Sequence, residues 1–167
     1  LFPYTTLFRS PIVELTNPAT VTPVLPPPTT EPIPDPILSL EDGWTKIEPG
    51  GDTRCAHDTE FAFWARPGTT NKLLVYFQGG GGCWNWETCQ AGSGMYDQTV
   101  TERDAPGPRG GILDFSKADN PFADYHAVYV PSCTGDIYLG SNVETYEQEG
   151  QEPIDVYHHG FINLNSA

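Results

Sequence analysis

Basic residues are scarce in this 167-residue chain: 8 Lys and Arg stand against 22 Asp and Glu, a formal charge of −14. A chain this acidic does not bind nucleic acid by neutralising phosphates, so nucleic acid is excluded as a general partner. Acidity favours solubility and gives no sign for a substrate. No apolar run reaches the roughly 18 residues needed to cross a bilayer, so no transmembrane segment is expected. The phosphate-loop pattern Gly-x4-Gly-Lys-Ser/Thr and the dinucleotide fingerprint Gly-x-Gly-x-x-Gly are both missing, which removes the usual nucleotide cofactors. Paired Cys-x2-Cys spacing is missing as well, so the sequence implies neither a metal nor a cofactor.

Position 1 is not Met, and residues 1–10, Leu-Phe-Pro-Tyr-Thr-Thr-Leu-Phe-Arg-Ser, coincide with one translated frame of a common sequencing adapter. They are set aside as a scar, and the chain is expected to begin inside its gene. From Pro11 to Ile37 lie nine of the 17 prolines, interleaved with Thr, Val and Glu. Such a stretch buries too little apolar surface to offset its ordering entropy, so residues 11–42 read as a disordered, polyproline-like tether. Pro/Thr-rich tethers occur behind export signals and lipid anchors and equally as plain linkers.

The folded part is expected at 43–167. Glu60-Phe61-Ala62-Phe63-Trp64-Ala65 and Lys72-Leu73-Leu74-Val75-Tyr76-Phe77 flank Arg66-Pro67-Gly68-Thr69-Thr70-Asn71, which has hairpin turn chemistry. The first run alternates and the second is continuously apolar, which suggests an outer antiparallel strand feeding an interior strand covered on both faces. A third strand is read at Ala127–Pro131, after a crossover with a helix near Met95–Glu102. Phe161, Ile162 and Leu164 read as the opening of a further helix from Gly160.

The most informative stretch is the apolar run ending at Gln78, followed by Gly79-Gly80-Gly81-Gly82 and Cys83-Trp84-Asn85-Trp86-Glu87-Thr88-Cys89. Glycines behind a buried strand let the backbone approach an anion and offer it N–H groups. Alone, four glycines would read equally as a flexible turn. The even number of cysteines, Cys55, Cys83, Cys89 and Cys133, points to disulfides in an exported chain, with three pairings open. A zinc reading would draw Cys55-x-His57 with Cys133 and one loop cysteine. Catalytic Cys83 with His158 or His159 as base conflicts with a disulfide role for that cysteine. His158-His159 itself reads as a surface or helix-capping pair.

Residues 72–89, 120–136 (Asn-Pro-Phe-Ala-Asp-Tyr-His-Ala-Val-Tyr-Val-Pro-Ser-Cys-Thr-Gly-Asp) and 159–163 (His-Gly-Phe-Ile-Asn) resemble, in order and spacing, the pectinacetylesterase/Notum family of secreted serine esterases. The resemblance covers roughly residues 44 to 167. It implies the N-terminal part of an α/β-hydrolase-like sheet, incomplete because the family's Gly-x-Ser-x-Gly nucleophile, triad acid and histidine lie beyond Ala167. It implies pairings Cys83–Cys89 and Cys55–Cys133, and it places the oxyanion-hole amides on Gly80 and Gly81. Glycine at 81 and 82, where several branches have Gly-Gly-Trp-x-Cys, implies a more open acyl pocket that does not favour long chains. Trp84 and Trp86 could refill it or form a sugar platform, and read equally as packing residues. Asp136 is expected to organise its loop and not to serve in the triad; His126 and Ser166 are not promoted to catalysis either. The expected partner is an acetylated or acylated saccharide, outside the cell or at its envelope. The competing reading is a non-catalytic carbohydrate-binding module stacking sugars on Trp84, Trp86 and Tyr138. A Pro-rich surface protein with a mere scaffold domain would leave the three ordered motifs unexplained.

Overall fold

A computed structural model describes residues 36–107 and 111–167. The adapter-like residues and the tether up to residue 35 lie outside the described residues. A single turn of 3-10 helix at Pro36–Ser39 precedes a four-stranded sheet of β1 (Thr45–Ile47), β2 (Phe63–Arg66), β3 (Thr70–Phe77) and β4 (Tyr125–Val130). The order across this sheet is β1-β2-β4-β3. β2 runs antiparallel to β1 and to β4, with Trp64 opposite Tyr129. β3 runs parallel to β4, with Phe77 opposite Val130. A mixed sheet with a few short helices makes this an α/β architecture.

The expected hairpin of β2 with β3 is not formed, because β4 inserts between them. The turn residues are held by the chain entering β4 instead: Gly68 N donates to His126 Nδ1 at 2.8 Å, and the amides of Thr69 and Thr70 donate to Asp124 O at 2.9 and 3.0 Å. β4 is also the strand buried along nearly its whole length. The continuously apolar β3 ends the sheet among the described residues, with Leu73, Val75 and Phe77 40–57% exposed, so the expectation that it is covered on both faces is overturned here. Hydrophobicity reports what a strand prefers to bury, whereas its position is decided by which backbone pairs with it.

The predicted helix near Met95–Glu102 is absent. Tyr96 there forms an isolated antiparallel bridge with Gly81, and only a 3-10 turn follows at Glu102–Asp104, capped by Thr101. The helix of this crossover is α1 (Trp86–Cys89), opened by a capping box between Asn85 and Thr88. The helix from Gly160 is present as α2 (Gly160–Ser166). An unforeseen hairpin of β5 (Asn142–Tyr146) and β6 (Ile154–His158) lies between β4 and α2. The alternation Ile154, Val156, His158 was its legible sign.

Two apolar clusters hold the fold, and each contains one disulfide. Cys55–Cys133 sits with Phe61, Phe63, Ala65, Val128 and Val130, against which Ile37, Leu40 and Ile47 pack. Cys83–Cys89 sits with Ala56, Tyr96 and Val156. Both pairings are those the resemblance implied. On the other face of the sheet, Tyr76 stacks on Tyr129 at 5.3 Å, and Trp64 and Trp44 meet Tyr129 edge-on.

Candidate functional site

The site is built where β3 ends. Gln78 N donates to Val130 O at 2.9 Å, and the Tyr138 hydroxyl reaches both Gln78 O and Val130 O, at 2.7 and 2.9 Å. Tyr138 thereby ties the exits of β3 and β4 together, so the glycine run leaves a fixed point. Its ring packs edge-on against Phe77, and burial raises its phenol pKa well above the usual value.

Beyond Gln78 the backbone is held from both sides. Gly80 lies against Ser132, where an added Cβ would stand 2.6 Å from that residue's Cβ. Asp97 N donates to Gly80 O at 2.7 Å, and Cys83 N donates to Gly135 O at 3.0 Å. Gly81 takes φ +77°, and a Cβ there would overlap the Met95 carbonyl, so only glycine fits. Among the described residues, the N–H groups of Gly79, Gly80 and Gly81 have no acceptor. Because the Gly80–Gly81 peptide is planar and trans, holding its C=O toward Asp97 turns the Gly81 N–H to the opposite side. The result is a pre-set, partly exposed group of backbone donors, the kind of feature that receives an anionic oxygen.

Cys83–Cys89, with a Cα separation of 5.0 Å, closes the loop behind these glycines. Tyr96 supports it from beneath: its hydroxyl donates to Cys89 O at 3.1 Å and meets His57 Nε2 at 3.2 Å. Burial pushes the Tyr96 phenol up to about 12 and pulls the His57 imidazole below its ordinary value, the latter opposed by the Cys89 backbone contact.

The three aromatic residues singled out as sugar platforms differ in what they do. Trp84 is 65% exposed beside the loop. Trp86 is half-buried and its Nε1 donates to Glu152 O at 2.9 Å, which fastens α1 to the β5–β6 hairpin. Tyr138 is the strand tie described above.

Asp136 organises its loop, as expected. Its Oδ1 accepts from Thr134 Oγ1 at 2.6 Å and Tyr138 N at 3.2 Å, and its Oδ2 accepts from Gly140 N at 2.9 Å and Gly160 N at 2.8 Å. One carboxylate thus joins the turn after β4 to the start of α2. Ile137 and Tyr138 take φ of +50° and +65°, backbone strain that this network holds in place.

All four histidine rings are engaged. His126 accepts from Gly68, His57 meets Tyr96, and His159 Nδ1 contacts Asp52 O at 2.8 Å. His158 contacts Thr134 O at 2.8 Å and the Tyr146 hydroxyl at 2.9 Å. His158 and His159 are buried, not a surface pair, and His159 occupies the N-cap position of α2 without a side-chain capping bond. The zinc set drawn through Cys55 and His57 does not assemble, since Cys55 and Cys133 share a disulfide. The ligand atoms of Cys83, Cys89 and His158 do lie within 4.8 Å of one another, but the two sulfurs are bonded together. Ser166 Oγ donates to Asn163 O, as a helix residue does. Sequence reasoning missed Gln78, Tyr96, Asp97 and Ser132 as parts of this site. Their roles arise from contacts between distant segments, for which no local pattern exists.

A profile described as pectinacetylesterase matches residues 49–161. Over 99 residues the chain is 32% identical to the palmitoleoyl-protein carboxylesterase NOTUM of Schmidtea mediterranea, an alignment covering 56% of this chain and 19% of that protein. The chain therefore spans about a fifth of the length of the curated relative it matches. With the profile extending over more than half of its residues, and with the glycine loop, both disulfides and the Asp136 turn inside the matched span, the chain belongs to the pectinacetylesterase family.

Proposed function

We propose that this chain is the N-terminal portion of an exported, α/β-hydrolase-like serine esterase, in which the amides of Gly80 and Gly81 receive the oxyanion of an ester's tetrahedral intermediate. The observation that carries the reading is the pair of acceptor-free N–H groups in a loop leaving the C-terminal end of a parallel strand, with the Gly80 carbonyl held away by Asp97. Ligands of open α/β sheets bind outside the carboxyl ends of strands, and hydrolases take an oxyanion donor from the loop between the third strand and the first helix. Residues 79–82 likewise lie between a parallel strand, β3, and a helix, α1, which supports the reading.

In this reading a serine attacks an acyl carbon, a histidine takes and returns its proton, and an aspartate orients the histidine. These three come from outside the 167 residues: Ser166 is a helix residue bonded to Asn163, and every histidine present is committed elsewhere. Glycine at 81 and 82 leaves no bulky side chain over the donors, which favours a small acyl group of acetyl type on a saccharide. Two disulfides suit an exported protein. No helix among the described residues is long and apolar enough to cross a membrane.

The test is turnover of 4-nitrophenyl acetate and of an acetylated oligosaccharide by the protein read through from its source gene, with and without Gly81→Ala. Gly81→Ala keeps the N–H but displaces it, because its Cβ overlaps the Met95 carbonyl; a loss approaching the about 10²–10³ in kcat that removal of one oxyanion donor costs is expected. Undiminished turnover by a folded Gly81 variant would overturn the assignment. Saccharide binding without turnover would instead favour a binding module using the exposed Trp84.

A further inference from the structure

Behind the glycine loop, the two sulfurs of Cys83–Cys89 and a ring nitrogen of His158 lie within 4.8 Å of one another, and all three residues are buried. Two sulfurs and an imidazole nitrogen are the donor set of a borderline-soft cation such as Zn²⁺, and no carboxylate belongs to the group. The bond between the sulfurs closes this set, because neither is a thiolate while it stands.

His158 already has the form of a ligand. Its Nδ1 lies 2.8 Å from Thr134 O, and a carbonyl only accepts, so Nδ1 carries the proton and in the neutral ring Nε2 keeps the lone pair. A backbone carbonyl on the other ring N–H is a common second partner of a metal-bound histidine, where it fixes the tautomer and the ring. Nε2 meets the Tyr146 hydroxyl at 2.9 Å. Tyr146 is half-buried on β5, so water is within reach as a replacement partner for that hydroxyl once a cation takes the lone pair.

The cysteine backbones do not depend on the bond that joins their side chains. Cys83 N donates to Gly135 O at 3.0 Å, Cys89 N donates to Asn85 O at 2.9 Å behind the capping box of α1, and Trp86 fastens that helix to the hairpin. The Cα atoms, 5.0 Å apart, are therefore held when the bond is broken. Two sulfurs at about 2.3 Å from a tetrahedral zinc stand roughly 3.8 Å apart, a spacing that side-chain rotation reaches without moving the backbone.

We propose that reduction of Cys83–Cys89 turns Cys83, Cys89 and His158 into a site for one Zn²⁺ or similar thiophilic divalent cation, with the fourth position left to water. The reductant is a dithiol or a phosphine. With a phosphine the S–S bond breaks, water gives its oxygen to phosphorus and its two protons to the sulfurs, and two thiols form. The cation then displaces both thiol protons to solvent. The inference concerns what stands behind the glycine loop and does not depend on the esterase reading.

The experiment reduces the 167-residue chain with tris(2-carboxyethyl)phosphine and titrates it with Co²⁺, following thiolate-to-cobalt charge-transfer absorbance and amide NMR dispersion. One Co²⁺ per chain is expected in a folded protein, displaced by Zn²⁺, with no such absorbance in the unreduced chain. Cys83→Ser with Cys89→Ser should abolish it although Cys55 and Cys133 remain, and His158→Gln should weaken binding at least about tenfold. Tyr146→Phe decides the role of His158 if His158→Gln does not fold: with no hydroxyl on Nε2 to displace, it should tighten binding about fivefold. Absence of saturable absorbance, loss of native NMR dispersion in the reduced chain with metal present, absorbance that survives the double serine variant, unchanged affinity in a folded His158→Gln, or no tightening in Tyr146→Phe would each overturn the proposal. None of these outcomes bears on ester turnover, so the esterase reading stands or falls separately.

Discussion

The amide of Asp97 donates to the carbonyl of Gly80 at 2.7 Å, and through that one bond a segment seventeen residues downstream aims the Gly81 N–H. Adding a methyl group at Gly81 attacks the arrangement twice. An L-residue in this left-handed conformation costs about 1–2 kcal/mol, and its Cβ overlaps the Met95 carbonyl. Gly81→Ala should therefore lower stability by more than the conformational term alone, measured as a shift of the urea midpoint at unchanged m-value.

Asp136 accepts four hydrogen bonds from four residues. Asp136→Ala leaves the amides of Gly140 and Gly160 without an acceptor and should cost about 2–4 kcal/mol, given that unmet buried groups cost about 1–3 kcal/mol each and do not add fully. Gly160→Ala should act through the same contact, because its methyl group would overlap the carboxylate. A double-mutant cycle in urea checks this: the two losses should be strongly non-additive.

The disulfides should contribute unequally. Loop-entropy arithmetic gives about 4–5 kcal/mol for Cys55–Cys133, which spans 78 positions, and about 2 kcal/mol for Cys83–Cys89, which spans 6. Paired Cys→Ala variants compared in chemical denaturation should rank in that order, and the reverse ranking would show that packing of the short loop outweighs chain entropy.

Buried Tyr96 and half-buried His57 set the pH limits of the loop support. His57 is held below its ordinary pKa by burial, so the unfolded chain takes up its proton first on acidification. Its contribution is present above the unfolded value near 6.5 and is lost as pH falls toward and through the folded pKa. Tyr96, pushed up to about 12, behaves oppositely: the unfolded phenol ionises first, and stability falls as pH rises from about 10 toward 12. Tm profiles should be flatter on the acid side in His57→Gln and flatter on the alkaline side in Tyr96→Phe.

Much of the chemistry was local and therefore legible. The apolar run into Gly79–Gly82, the strand at 127–130 and the helix from Gly160 each follow from neighbours a few residues apart, through propensity, turn chemistry and spacing, whereas the loop-organising role of Asp136 came from the resemblance. The disulfide partners became assignable only through resemblance, since spacing left three pairings open.

Composition and local pattern by themselves determined that this is an acidic chain with strands, a glycine loop and four cysteines, because side-chain burial preference and backbone propensity act over short stretches. Tertiary structure alone decided that β4 separates β2 from β3, that Tyr138 and Trp86 serve as ties, that Asp97 orients the glycine loop, and that Arg66 Nε and Nη1 lack an acceptor. Each of those depends on which distant backbone supplies a hydrogen-bond partner, and a one-dimensional pattern does not encode that choice among competing partners.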